Sequence, residues 1–94
     1  MAKLEESEIL SALKEKIKGW EHTGDEIKKV YNFKDFNASI KFVNNLAGIA
    51  ESMSHHPDIK IQYNKVTLNL STHDEGGITS KDIKLAQKAD EISS

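Results

Sequence analysis

The chain has 94 residues, a formal net charge of −2, 37% hydrophobic and 30% charged side chains, and no cysteine. That length allows one domain, residues 1–94, burying roughly 60–65% of its unfolded surface. The near-neutral charge, with basic residues dispersed singly or in pairs such as Lys28-Lys29, offers no electrostatic footprint for nucleic acid, and the lack of cysteine excludes disulfides, thiolate zinc sites and a cysteine nucleophile.

The opening stretch Met1 to Glu6 carries two carboxylates and no apolar core, so no secretory signal is expected. No apolar run approaches the ~20 residues of a membrane span, and a cytoplasmic protein is the expectation. Ser7 is placed to cap a first helix in which Ile9, Leu10, Leu13 and Ile17 recur at helical spacing, and Gly19 ends it. Trp20, Glu21 and His22 read as a short extended segment closed by a turn at Gly24-Asp25. From Glu26 to Phe33 a strand is predicted, with Ile27, Tyr31 and Phe33 on one face and Lys29 interrupting them.

Asp35 is a good N-cap for a central helix over about 36–54. Phe36, Ile40, Val43, Ala47 and Ala50 form one apolar stripe, which Phe42, Leu46, Ile49 and Met53 widen. A helix so broadly apolar is largely buried or touches a second subunit. Pro57 enforces its end, because the residue before proline avoids helical backbone. Ile59, Ile61 and Tyr63, then Val66, Leu68 and Leu70, alternate with polar residues on either side of a turn at Asn64-Lys65, predicting a hairpin with one buried face. Gly76-Gly77 makes a loop, and Thr79 opens a last helix with Ile83, Ala86, Ala89 and Ile92 on its apolar face. The order α-β-β-α-β-β-α predicts an α+β fold, with three helices on one face of a four-stranded, mostly antiparallel sheet.

Chemistry concentrates in the histidines. Of the 4 in the chain, His55 and His56 stand side by side before its only proline, Pro57, and His73 follows at the end of the predicted hairpin. Imidazole is the side chain that gives and takes protons near neutral pH without special tuning. Glu51 lies four residues before His55, so on a continuing helix the two share a face and the carboxylate could orient the ring; an ordinary solvated ion pair is the plainer role for it. His73 shares an alternation with Thr67, Asn69 and Ser71, a polar row that either faces water or lines a pocket. Asp82 follows Thr79 at capping-box spacing, which explains it without chemistry, though a carboxylate there could also orient a histidine. The common zinc spacings, a Gly-x-Ser-x-Gly elbow and a glycine-rich phosphate loop are all absent. Metal-free acid–base chemistry, or no chemistry, remains.

Taken together these residues resemble the pterin-4a-carbinolamine dehydratase family. The resemblance rests on Glu51, His55-His56-Pro57, Tyr63, His73 and Asp82, and on the stretches Gly19-Trp20, Phe33 to Ala38, Tyr63 to Val66 and Leu70 to His73. It runs from about residue 4 to 92 and implies the same α-β-β-α-β-β-α fold, as a homodimer or homotetramer. It further implies a hydro-lyase that removes water from 4a-hydroxytetrahydropterin, yielding quinonoid dihydropterin and recycling the cofactor of aromatic amino acid hydroxylases. No metal or redox cofactor is implied. His55 and His73 would be the acid–base pair, and His56 would bind or polarise the substrate. Asp82 would orient a histidine or the pterin edge, with Glu51 and Pro57 in support. The family also includes a dimerisation cofactor of a transcription factor, so a non-catalytic partner role is the alternative. The central helix, through Phe42, Leu46, Ile49 and Met53, would be its docking face. A dehydratase for a different pterin is the third reading.

Overall fold

In the computed structural model, which describes residues 2–94, the chain runs α1 (Glu6–Glu15), β1 (Glu21–Thr23), β2 (Glu26–Asn32), α2 (Phe36–Ser52), β3 (Asp58–Gln62), β4 (Lys65–Leu70), a single 3₁₀ turn (His73–Glu75) and α3 (Ser80–Ser93). The four strands form one antiparallel sheet in the order β1-β2-β4-β3. This is the predicted α+β architecture. No described helix is long and apolar enough to cross a membrane.

Strand alternation decides which side of the sheet is covered. Ile27 pairs with Leu70, Tyr31 with Val66, and Ile59 and Ile61 with Leu68 and Val66, so these side chains share one face. Val66, Leu68, Leu70 and Ile27 are fully buried there against Leu46 of α2 and Leu85, Ala86 and Ala89 of α3. Tyr31, Phe33 and Phe42 stack around this core at centroid distances of 4.9–6.3 Å. The opposite face carries Thr67 and Asn69, half-buried and polar, with Asn69 Nδ2 donating to Glu26 Oε1 at 2.9 Å.

Lys29 interrupts the apolar face of β2 for a reason found on α3. Its ammonium meets the Asp90 carboxylate at 2.8 Å and lies over the Tyr31 ring, while Trp20 Nε1 and the Tyr31 hydroxyl also donate to Asp90. Four side chains from three segments thus close one end of the core with their polar atoms satisfied.

Several expectations are corrected. Glu5, not Ser7, precedes the first helical turn; its backbone N–H donates to Glu8 Oε1 at 2.9 Å, and Ser7 lies inside α1. Leu10 is 55% exposed, and Ile17 is buried beyond the end of α1. The hairpin turns on Tyr63 and Asn64 rather than Asn64-Lys65, with Tyr63 at positive φ and Asn64 clamped to Phe33 through both its main chain and its side chain. Of the two apolar stripes of α2, the core takes Phe42, Leu46 and Ala50. Phe42 and Leu46 are therefore not a docking face. Phe36 is 50% exposed, Ala47 is exposed, and Ile40 and Val43 are half-covered, so this other stripe reaches the surface.

Candidate active site

Two chain reversals bring the histidines together. The first follows α2, which stops at Ser52 and not at Pro57. Ser54 adopts the left-handed conformation (φ 52°), Ser54 N donates to Glu51 O, and His55 N donates to Ala50 O, each at 3.0 Å. This is a Schellman ending with serine in the position glycine usually takes. It turns the chain so that the neighbouring histidines part. His55 goes inward and is 8% exposed, while His56 stays on the surface. Pro57 then leads into β3.

The parting also exchanges the expected partners. Glu51 does not meet His55; its Oε1 lies 2.9 Å from His56 Nε2 in a pair that solvent screens, the Glu51 side chain being 80% and the His56 side chain 66% exposed. His55 Nε2 instead lies 2.6 Å from Oδ1 of Asp82, which is completely buried. The other oxygen, Oδ2, accepts from Thr79 N at 2.9 Å and from Thr72 Oγ1 at 2.8 Å. Asp82 therefore serves both roles open to it, capping α3 and holding a histidine.

This arrangement selects a tautomer. An ionised carboxylate only accepts, so the ring proton shared with Asp82 belongs on Nε2, and Nδ1 of neutral His55 is left with a free lone pair. No buried side-chain nitrogen or oxygen among the described residues lacks a partner, and Nδ1 makes no hydrogen bond. It is thus not fully buried.

The second reversal follows β4. That strand ends at Leu70, and His73 lies beyond it in the 3₁₀ turn, not at a strand end. The turn is closed by a bridge between Thr72 and Gly77, with Thr72 N donating to Gly77 O at 2.8 Å. His73 is exposed on the turn and faces the His55-His56 corner across an open cleft of about 260 Å³, where Ser54, Ser71, Thr72 and Asp74 complete the wall. All three candidate histidines thus border one cleft, with Asp82 beneath it. Glu51 stands outside, Tyr63 sits far along the hairpin in its turn, and Pro57 does not line it. A larger groove of about 800 Å³ between α1 and α3 is lined by Leu4, Glu8, Met53, Ile83 and three lysines, and it holds no histidine. Size does not locate the chemistry here. Among the described residues no three histidine or carboxylate side chains converge as a metal site would require.

Sequence reasoning missed Thr72 and the Asp90 cluster. Thr72 has no spacing signal. Asp90 did have one, because it falls in register with Ile83 and Ala86 on the buried face of α3, where an acid must find a partner.

Comparison with known proteins bears on the same residues. The family model described as Pterin 4 alpha carbinolamine dehydratase matches residues 2–92. A protein of Thermomicrobium roseum, provisionally named a pterin-4-alpha-carbinolamine dehydratase, is 50% identical over 94 residues, 100% of each chain. One of Sulfurisphaera tokodaii with the same provisional name is 50% identical over 92 residues, 98% of each chain. Among solved structures, a protein of Brucella melitensis described as a transcriptional coactivator/pterin dehydratase superposes with a TM-score of 0.94 at 37% identity, over 98% of this chain and 99% of that one. A pterin dehydratase-like protein described as a RuBisCO assembly factor in the alpha-carboxysome shares the fold alone, with a TM-score of 0.68 and 17% identity over 80% of this chain and 87% of that one. A match spanning nearly every described residue, and relatives half identical from end to end, place the chain in the pterin-4-alpha-carbinolamine dehydratase family.

Proposed function

We propose that this protein dehydrates 4a-hydroxytetrahydropterin by histidine acid–base catalysis. The observation that carries the reading is the single cleft bordered by His55, His56 and His73, with His55 held on the buried Asp82 carboxylate. The elimination breaks the C4a–O bond and forms a C4a–N5 double bond. Hydroxide is a poor leaving group, so the departing oxygen takes a proton and leaves as water, while the N5 proton is withdrawn. In this reading Nδ1 of His55 accepts the N5 proton and His73 protonates the leaving oxygen. Each transfer contributes typically 10²–10⁴-fold. His56 contacts the substrate, and Asp82 holds the His55 ring against rotation. The product, quinonoid dihydropterin, is the form a reductase returns to the cofactor pool of an aromatic amino acid hydroxylase.

The chain acts as a homodimer or homotetramer in this proposal, supported by the surface stripe of Phe36, Ile40, Val43 and Ala47 on α2. The same stripe supports a second reading, a binding role toward another protein, which the coactivator description of the Brucella relative also favours. Ultraviolet absorbance separates the two. The decay of 4a-hydroxytetrahydropterin generated in situ is followed with wild-type protein and with His55→Ala. Dehydration accelerated by the wild type and lost in the variant is the expected result; no acceleration by a folded wild type would leave only the binding role.

A further inference from the structure

Between the two chain reversals stands Thr72, whose hydroxyl and main chain serve different histidines. Its main chain closes the loop that presents His73: Thr72 N donates to Gly77 O at 2.8 Å, and Thr72 O accepts from Glu75 N at 3.0 Å and Gly77 N at 3.4 Å. Its hydroxyl points the other way, 2.8 Å from Asp82 Oδ2 and 2.8 Å from Thr79 Oγ1. A hydroxyl has one proton to give, and a carboxylate can only accept. The Thr72 proton therefore goes to Asp82, and the Thr72 oxygen accepts from Thr79. The Thr79 oxygen in turn accepts from Lys81 N at 3.3 Å, in the first turn of α3. Every donor in this row is oriented in one direction, from the start of α3 to Asp82, where His55 donates from the far side. Bonds aligned in this way polarise and strengthen one another.

We propose that Thr72 is a positioning residue that couples the two histidines of the cleft. Through its hydroxyl it locks Asp82, and thereby the ring orientation and tautomer of His55; through its main chain it sets the height of the loop bearing His73. The inference rests on the acid–base roles proposed above for these histidines. It explains why a threonine, and not a purely apolar residue, occupies a half-buried position beside a carboxylate that the Thr79 backbone already caps. With valine in its place, Asp82 Oδ2 would keep one donor of two, and the Thr79 hydroxyl would lose its acceptor.

The test compares Thr72→Val and Thr72→Ser with the wild type in steady-state dehydratase kinetics and in ¹⁵N NMR of the histidine rings. Thr72→Val is expected to lower kcat on the order of 10–100-fold with KM changed less than about twofold, as misplacement of a reacting group does. Its His55 ring signals move from a single Nε2–H tautomer to a mixture. Thr72→Ser, which keeps the hydroxyl, restores both readouts to near wild type. A folded Thr72→Val with wild-type kcat and unchanged ring signals overturns the proposal. Should Thr72→Val not fold, Thr72→Ala carries the same expectation without a branched side chain to accommodate. Failure of both to fold while Thr72→Ser folds would assign the hydroxyl to stability alone and also overturn it. The ring signals report the coupling even in a protein without dehydratase activity, so a failure of this inference is distinguishable from a failure of the proposed reaction.

Discussion

Replacing Asp82 by asparagine changes one atom in shape and inverts the logic of the site. The wild-type carboxylate accepts on both oxygens, from His55 on one side and from Thr72 and Thr79 N on the other. A carboxamide offers one acceptor and one donor, so it must choose which side to satisfy. If its oxygen faced His55, its NH₂ would oppose the Thr79 N–H at a position 2.9 Å away, a donor against a donor in a fully buried site. The oxygen therefore turns to Thr72 and Thr79, and the NH₂ turns to His55. His55 can accept that bond only by moving its own proton from Nε2 to Nδ1, the nitrogen assigned to substrate.

Fold and chemistry should then separate. Bonds to a charged partner are worth about 1.5–3 kcal/mol and neutral ones about 1, so exchanging the set costs roughly 1–2 kcal/mol. For a chain of this length that is a Tm loss of about 5–15 °C. Dehydratase activity should fall much further, on the order of 10²–10⁴-fold in kcat, because the base now carries a proton where it must accept one. Stopped-flow absorbance of the carbinolamine gives the rate, thermal melts the stability, and ¹⁵N shifts of His55 the tautomer. A folded Asp82→Asn protein that retains the Nε2–H tautomer, or turns over at the wild-type rate, would refute the reasoning.

Other consequences follow from single positions. Ser54 is held at φ 52°, which costs a non-glycine residue about 1–2 kcal/mol. Ser54→Gly should therefore raise Tm by about 5–15 °C, measured by calorimetry; an unchanged or lower Tm would contradict the strain assigned to this position. Burial first, then the hydrogen bond to Asp90 and the charge of Asp90, push the Tyr31 phenol far above its ordinary value of about 10. Its contribution to stability is complete below pH 10, where the unfolded phenol is also neutral, and declines above it by about 1.4 kcal/mol per pH unit as unfolding releases a proton. Urea midpoints from pH 8 to 11 should fall more steeply for wild type than for Tyr31→Phe; parallel slopes would contradict the assignment. Phe36 is half exposed on the surface stripe of α2, so, in the proposed oligomer, Phe36→Lys should reduce the mass seen by light scattering while leaving the circular dichroism spectrum intact.

How much of this was legible in the chain depends on the range of the interaction. Alternation and helical periodicity are local, and they located all three helices and all four strands. The capping box of Thr79 and Asp82 is local as well, and it is present as read. The central helix shows where local reading stops. Its two apolar stripes are equivalent as sequence, and only the sheet's placement decides that Leu46 is buried while Ala47 is not. Lys29 and Asp90 each break an apolar face and are partners of one another. Either alone reads as noise; together they are a contact prediction that periodicity could have made.

The pairing of the histidines was illegible for a sharper reason. Glu51 and His55 have the spacing of a helical ion pair, and Pro57 marks a helix end, so extending α2 past residue 52 is the reading that spacing favours. What breaks the helix earlier is a left-handed residue, and the residue is serine, which announces no such turn as glycine or asparagine would. Had α2 run one turn further, the chain would keep His55 on the helix face that Glu51 occupies, in solvent and away from Asp82. The Schellman ending gives Glu51 to His56 and frees His55 to reach a carboxylate 27 residues away in sequence. The strain at Ser54 is thus set against a gain in the proposed chemistry: one histidine is held on a buried carboxylate, as the proposed base must be, while its neighbour stays exposed at the edge of the cleft. A helix ending, more than any residue identity in the His-His-Pro run, makes the two adjacent imidazoles different.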